Sequence, residues 1–211
     1  MMNPHEPHPS AATGARPLVL ASTSRYRRAL LLQLGLPFSV AAPPTDETAL
    51  PGETPAATAL RLAEAKARSV RAAHPTALII GSDQVADCDG RAIGKAGSHA
   101  AAVAQLSSLS GRTVVFHTGL ALLDAVSGHC QAALVDVTST FRVLSPEAIE
   151  SYLRRDQPYD CAGSVKSDAL GIALFKSIES DDPSALVGLP LIRLTDMLIN
   201  AGVDILGRDA P

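Results

Sequence analysis

Apolar and polar positions follow two periods along this chain, and the switches between them outline its elements. "PLVLAS" (Pro17–Ser22) is a short apolar run that ends in small residues. "SRYRRALLLQLGLPF" then carries Leu, Ala and Arg until Gly35 and Pro37 interrupt it, which predicts a strand, a tight turn and a helix. "AAPPTDETALPGETPAA", rich in Pro, Thr and acids, reads as a loop that delivers Asp46 and Glu47 ahead of a helix over about 54–73. In that helix Leu60, Ala63, Ala67 and Val70 share a face, and Glu64 stands four residues before Arg68. "TALIIGSDQVADCDG" is a buried central strand running from apolar residues into a polar end. "IGKAGSHAAAVAQLSSLSG" gives a turn and an Ala-rich helix stopped by Gly111, and "RTVVFHTGLALLDA" and "ALVDVTSTFRVL" are two long strands around the turn "VSGH". Ser145, Pro146 and Glu147 open a further helix, "SPEAIESYLRR", and "SALVGLPLIRLTDMLINAG" is a loop followed by a last amphipathic helix. The order predicts an α/β fold, a mixed central sheet with flanking helices in two closely joined lobes, without repeats or a clean linker.

Composition narrows the class. The 211 residues are 46% hydrophobic with a formal net charge of −3, which suits a soluble globular protein and argues against binding nucleic acid or a membrane by bulk charge. Aromatics make up only 3% and tryptophan is absent, so the core is expected to be built from Ala, Leu, Val and Ile. Cys88, Cys130 and Cys161 are too far apart for a CxxC pair and odd in number, and read as small buried hydrophobes in a reducing compartment. The opening "MMNPHEPHPSAATGAR" has no apolar stretch of signal-peptide kind, and no later run reaches the length of a membrane span. The expectation is a cytoplasmic protein with a disordered tail over 1–16, holding His5 and His8, and one domain over 17–207.

Three stretches carry candidate chemistry. In "LVLASTSRYRRALL" a hydroxyl-rich turn opens a helix whose free N–H groups and dipole suit an anion. Ser22, Thr23 and Ser24 cap or donate there, while Arg25, Arg27 and Arg28 surround a first turn that disfavours cations unless an anion is bound; a capped surface helix with solvated arginines fits the same residues. In "GSDQVAD", Asp83 stands at the polar end of an apolar strand, where open α/β sheets place ligands, and it reads either as a metal or proton acceptor or as a strand-end turn residue. Lys95 follows in "DGRAIGKA", which is not a Walker A loop: it is one residue short between Gly90 and Gly94, and Ala96 stands where Ser or Thr would hold magnesium. In "CAGSVKSDALG", Lys166 faces phosphate or is an ordinary loop lysine. GxSxG, HExxH and GxGxxG are absent, His74, His99, His117 and His129 lack ligand spacing, and Glu179, Asp181 and Asp182 read as a solvated loop.

Taken together, "LASTSRYRRALL", "DET" at 46–48, "LAEAKA" at 62–67, "GSDQV" at 81–85, "IGK" at 93–95, "CAGSVKSD" at 161–168 and "LVGLPL" at 186–191 resemble the Maf family of nucleoside triphosphate pyrophosphatases, in order over about 17–203. The resemblance implies cleavage between the α and β phosphates with a divalent cation, magnesium or manganese. It implies a deep-clefted α/β fold similar to the inosine triphosphate pyrophosphatases, often dimeric. It makes Asp83 the acceptor that activates water, puts Ser22, Ser24, Arg27, Lys66, Lys95 and Lys166 on phosphate, and gives Glu47 and Asp83 to the metal. Ser-Asp-Gln at 82–84 and Tyr26 resemble the branch acting on 7-methyl-GTP, where dTTP and UTP enzymes tend to have Ala-Asp-Thr and an arginine. An aromatic ring at 26 suits a base made cationic by N7 methylation, Asp168 suits the guanine N1 and N2 donors, and Gln84 completes the polar readout. The alternatives are a pyrimidine nucleotide substrate in the same family and a nucleotide-binding regulator of cell division.

Overall fold

The computed structural model describes residues 16–207; His5, His8 and the rest of the expected tail up to residue 15 lie outside the described residues, as do residues 208–211. The chain runs β1 (Leu18–Ala21), α1 (Arg25–Leu32), β2 (Ser39–Ala41), α2 (Pro55–Ser69), β3 (Leu78–Cys88), β4 (Arg91–Ile93), α3 (His99–Leu109), β5 (Thr113–Asp124), β6 (Cys130–Phe141), α4 (Pro146–Asp156), β7 (Phe175–Glu179) and α5 (Leu191–Asn200). One sheet holds the strands in the order β2-β1-β3-β5-β6-β7, with β4 on β3. The pairs at β1 are parallel and the rest antiparallel, so the sheet is mixed, as expected.

The apolar runs of β1 and β3 are buried on both faces, which is why they do not alternate. Leu18, Leu20, Leu78 and Ile80 meet Leu30 and Leu31 of α1 and Leu194 and Leu198 of α5. Val19, Ala21 and Ile79 meet Ala63 and Ala67 of α2 on the opposite face. The face α2 buries is built on Ala59, Leu62, Ala63, Lys66 and Ala67, one step round from the expected Leu60. That helix lies close on the sheet because Gly81 and Gly119 face it: a Cβ on either would come within 2.1 Å of the Ala63 carbonyl oxygen or 2.2 Å of the Ala59 one. A separate core at the far end of the sheet gathers Phe116, Phe141 and Phe175 with Leu106, Leu109 and Leu153, and forms the second lobe. Ser24, Thr54, Ser98 and Ser145 each cap a helix by accepting a backbone N–H.

Several expectations change. β2, β4 and β7 were not evident in the pattern, and α2 ends at Ser69 with a 3-10 turn at Arg71–Ala73. Asp182 is buried rather than solvated: α5 has no side-chain cap of its own, and the Asp182 carboxylate accepts the Ile192 and Arg193 N–H groups at 2.8 and 3.1 Å. Cys88 is buried, but Cys130 and Cys161 are only half-buried. His117 lies between Asp136 (2.7 Å) and Asp87 (3.4 Å), which take opposite ring nitrogens and so do not converge on a metal position. No helix among the described residues is long and apolar enough to cross a membrane.

Along one edge of β3, β1 pairs with Leu78–Ile80 and β4 pairs with Ala86–Cys88. Between them, residues 81–85 have no neighbouring strand on that side. The cleft opens at this gap.

Candidate active site

The cleft has a volume of about 730 Å³ and runs from the β1–α1 turn, past the middle of β3, to the segment Asp160–Asp168. The eleven residues to which the resemblance gives a role all line it, Ser22, Ser24, Tyr26, Arg27, Glu47, Lys66, Asp83, Gln84, Lys95, Lys166 and Asp168, whereas Arg28 of the same first turn does not. Their side chains divide into groups that face the space and groups already committed to the protein.

Asp83 lies in the stretch of β3 that lacks a neighbour on its β1 edge, paired with Gly119 of β5 on the other, and α2 sets Lys66 over it. The Lys66 ammonium is buried and lies 2.6 Å from Asp83 Oδ1 and 2.5 Å from Glu47 Oε1. Two carboxylates from different parts of the chain thus converge on one cation position. Partial desolvation pushes the Glu47 carboxyl up, but the Lys66 hydrogen bond and the fields of Lys66, Lys95 and Arg27 outweigh it and hold it below its ordinary value. The Arg27 Nε donates to the Gly188 carbonyl at 2.7 Å, which fixes the guanidinium in the wall. Desolvation lowers Arg27 from its usual value, opposed by the charges of Asp83 and Glu47. Ser82 hydroxyl, 2.9 Å from the same Gly188 oxygen, ties β3 to that turn.

At the start of α1, Ser22 Oγ accepts the Ser24 N–H at 3.1 Å and Ser24 Oγ accepts the Arg27 N–H at 3.3 Å. Both hydroxyls therefore keep a proton to donate into the cleft. Lys95 is exposed and has no ion-pair partner among the described residues. Lys166 differs: its ammonium donates to the Asp156 carbonyl and, at 3.4 Å, to the Gln157 carbonyl at the end of α4. Gln84 is likewise committed, its amide N–H₂ lying near Thr118 Oγ1 at 3.0 Å and the Ala185 and Leu186 carbonyls at 2.8 and 3.2 Å. It pins the 3-10 turn Pro183–Val187 that leads to Gly188.

The far end of the cleft is less basic. Asp168 is exposed and its carboxylate has no partner among the described residues. The Tyr26 ring carries the Arg25 guanidinium 4.8 Å over its centroid, and Arg25 also donates to the Tyr26 hydroxyl at 2.8 Å. Cys161 stands beside it, its thiol pushed up to about 11 chiefly by burial, which keeps it a neutral wall group. Sequence reasoning assigned no site role to Ser82, Gly188 or Cys161. "GSDQV", "LVGLPL" and "CAGSVKSD" flagged their neighbourhoods, but which carbonyl or ring each meets depends on contacts as distant as Ser82 to Gly188.

An open α/β sheet whose cleft sets a carboxylate pair among Arg and Lys side chains, next to a helix N-terminus, defines a protein equipped to bind polyanions. The Maf-like protein family model matches residues 17–201, and the chain belongs to the Maf family. The chain is 59% identical over 189 residues to the 7-methyl-GTP pyrophosphatase of Polaromonas sp., covering 90% of this chain and 86% of that one. Its identity to the 7-methyl-GTP pyrophosphatase of Albidiferax ferrireducens is 55% over 192 residues, covering 91% and 96%. To the protein of the same name from Burkholderia pseudomallei it is 57% over 198 residues, covering 92% of each.

Proposed function

We propose that this protein is a nucleoside triphosphate pyrophosphatase that hydrolyses 7-methyl-GTP to 7-methyl-GMP and pyrophosphate, so clearing a modified nucleotide from the cytoplasmic pool. The observation that carries the reading is the placement of Asp83 in the cleft with Lys66, Glu47 and Arg27 around it. Hydrolysis of a phosphoanhydride is mostly positioning and charge stabilisation. Arg27, Lys95 and the Ser22 and Ser24 hydroxyls at the α1 N-terminus bind the phosphate oxygens and take up the charge that grows on the pyrophosphate leaving group. Asp83 accepts a proton from the water that attacks the α phosphorus, and Lys66 orients its carboxylate. Lys166 reaches a phosphate only by giving up its carbonyl partners at the end of α4.

A divalent cation fits the donor set. Glu47 Oε1 and Asp83 Oδ1 are taken by the Lys66 ammonium, so the ion would be held by the second oxygen of each carboxylate, and magnesium is commonly held by one or two carboxylates with substrate phosphates supplying further oxygens. No group of three metal-ligating side chains is present among the described residues, so the phosphates would complete the coordination. When bound, the ion neutralises phosphate charge. At the other end, Tyr26 offers a ring that already attracts a cation, Arg25, and Asp168 offers a free carboxylate for the N1 and N2 donors of guanine. Gln84 contributes its amide oxygen, since its N–H₂ is spent on the 3-10 turn.

The test is pyrophosphate release, with magnesium or manganese, across 7-methyl-GTP, GTP, dTTP, UTP and CTP for the wild type and Asp83→Asn. Selective turnover of 7-methyl-GTP that falls at least about a hundredfold in the variant is expected. Preference for a pyrimidine nucleotide overturns the base assignment. An unchanged rate in Asp83→Asn overturns the assignment of the base catalyst.

A further inference from the structure

Two segments make one wall of the cleft: the turn from Ile93 to Ala96, which carries Lys95, and the loop from Cys161 to Asp168. Their backbones meet, Lys95 pairing with Ala162 in an isolated antiparallel bridge and the Gly163 N–H donating to the Gly94 carbonyl at 3.4 Å. Gln105, on α3 and outside the cleft lining, holds both. Its Nε2 donates to the Gly94 carbonyl at 3.1 Å, and its Oε1 accepts the Ser164 hydroxyl at 2.5 Å. Ser164 is fully buried with φ +55, a left-handed conformation that a residue with a Cβ adopts at a cost, so bonds from outside the loop must hold its shape. Tyr152 supplies others, donating to the Ser164 carbonyl at 3.2 Å and accepting the Lys166 N–H at 3.0 Å. Tyr152 fixes the loop to α4, whereas Gln105 is the side chain that joins the loop to the Lys95 turn.

We propose that Gln105 is a positioning residue that, beside the backbone bridge of Lys95 with Ala162, sets the separation of Lys95 from the Asp168 loop, and through it the span between the phosphate and base ends of the cleft. The identity of what fills those ends rests on the function proposed above. The link is serial: Gly94, Gln105, Ser164. Breaking either bond releases the same constraint, and breaking both releases nothing more. Gln105→Glu keeps the acceptor for Ser164 but replaces the donor to Gly94 with an oxygen. Ser164→Ala cuts the other bond and carries the same left-handed burden as serine.

Steady-state kinetics of Gln105→Glu, Ser164→Ala and the double variant, on whichever triphosphate the wild type turns over fastest, test the link. Each single variant is expected to raise KM roughly three- to ten-fold, the worth of one neutral hydrogen bond, with kcat within about twofold. The double variant is expected to be no worse than the more affected single one. Unchanged KM in either single variant, or effects that multiply in the double, overturns the proposal. So does a loss of kcat that follows a fall in thermal midpoint, since that is plain structural damage. Gln105→Met, which keeps the stem and loses both bonds, replaces Gln105→Glu if the latter does not fold. Where turnover is absent, Kd for the nucleotide by calorimetry takes the place of KM. Asp168→Asn, run in parallel on 7-methyl-GTP and GTP, reads the base assignment separately: an unchanged preference there defeats that assignment and leaves the Gln105 result to stand or fall alone.

Discussion

Replacing Lys66 with methionine removes a buried charge and keeps most of the side-chain volume, so it isolates what the ammonium does. The Lys66 side chain is 6% exposed, Asp83 is 11% exposed and Glu47 is 54% exposed. After the substitution Glu47 turns to water, whereas Asp83 remains a carboxylate in the cleft wall without its nearest cation. Removing one partner of a buried pair costs about 3–5 kcal/mol. The charge of Arg27, which also acts on Asp83, offsets part of this and favours the lower end, about 3 kcal/mol. For a domain of this size that is a fall in Tm of about 6–12 °C. The companion variant Lys66→Met/Asp83→Asn removes the stranded charge and should recover about 2 kcal/mol of the loss; that recovery plus the cost of Asp83→Asn alone gives the coupling between the two groups. Equilibrium urea unfolding at neutral pH of wild type, both single variants and the double variant measures all four corners. A Lys66→Met protein within about 1 kcal/mol of wild type, or a double variant as unstable as the single one, refutes the reasoning that Asp83 depends on Lys66.

Gly119→Ala places a Cβ 2.2 Å from the Ala59 carbonyl and must lift α2 from the sheet; a loss of about 3 kcal/mol in urea unfolding and lower activity through displacement of Lys66 are expected, and an unperturbed variant contradicts the close approach. Glu53 is lowered from 4.5 to about 2, first by its hydrogen bond with Arg61 and then by the Leu50 N–H. Because its folded value is depressed, it stabilises the fold above about pH 4.5 and loses that contribution as pH falls toward 2, so Glu53→Gln should flatten this part of the acid limb of a urea-midpoint profile.

The long elements were legible because burial on one face or both writes itself into ten or more positions, as in β3, β5 and α2. β2, β4 and β7 are three to five residues long and mostly exposed; pairing with an established neighbour holds them, and no local pattern announces that. Asp182 looked like part of a solvated acidic run, and only the uncapped N-terminus of α5 explains its burial. The chemistry-bearing residue types were found, but their commitments were not. The resemblance makes Lys166 and Gln84 ligand-facing, though the residues alone left Lys166 equally an ordinary loop lysine, and both spend their N–H groups on backbone carbonyls that folding brings from α4 and the 3-10 turn. Spacing gives a residue's address, whereas the partner that competes with a ligand for it is a tertiary fact.

The length of β1 ties these observations together. It stops at Ala21 because the Ser22 N–H turns back to the Leu20 carbonyl at 3.0 Å instead of continuing along β3. That stop exposes the edge of β3 at the point where its sequence changes from Leu-Ile-Ile to Gly-Ser-Asp-Gln, so the polar switch in one strand matches the end of its neighbour. It also aims the hydroxyls of Ser22 and Ser24 and the N-terminus of α1 into the space that the missing strand leaves. The carboxylate of Asp83, the anion-seeking helix end and the Arg27 guanidinium are therefore brought to one cleft by a single short strand. This explains why a chain with a net negative charge concentrates arginine and serine just past its first apolar run.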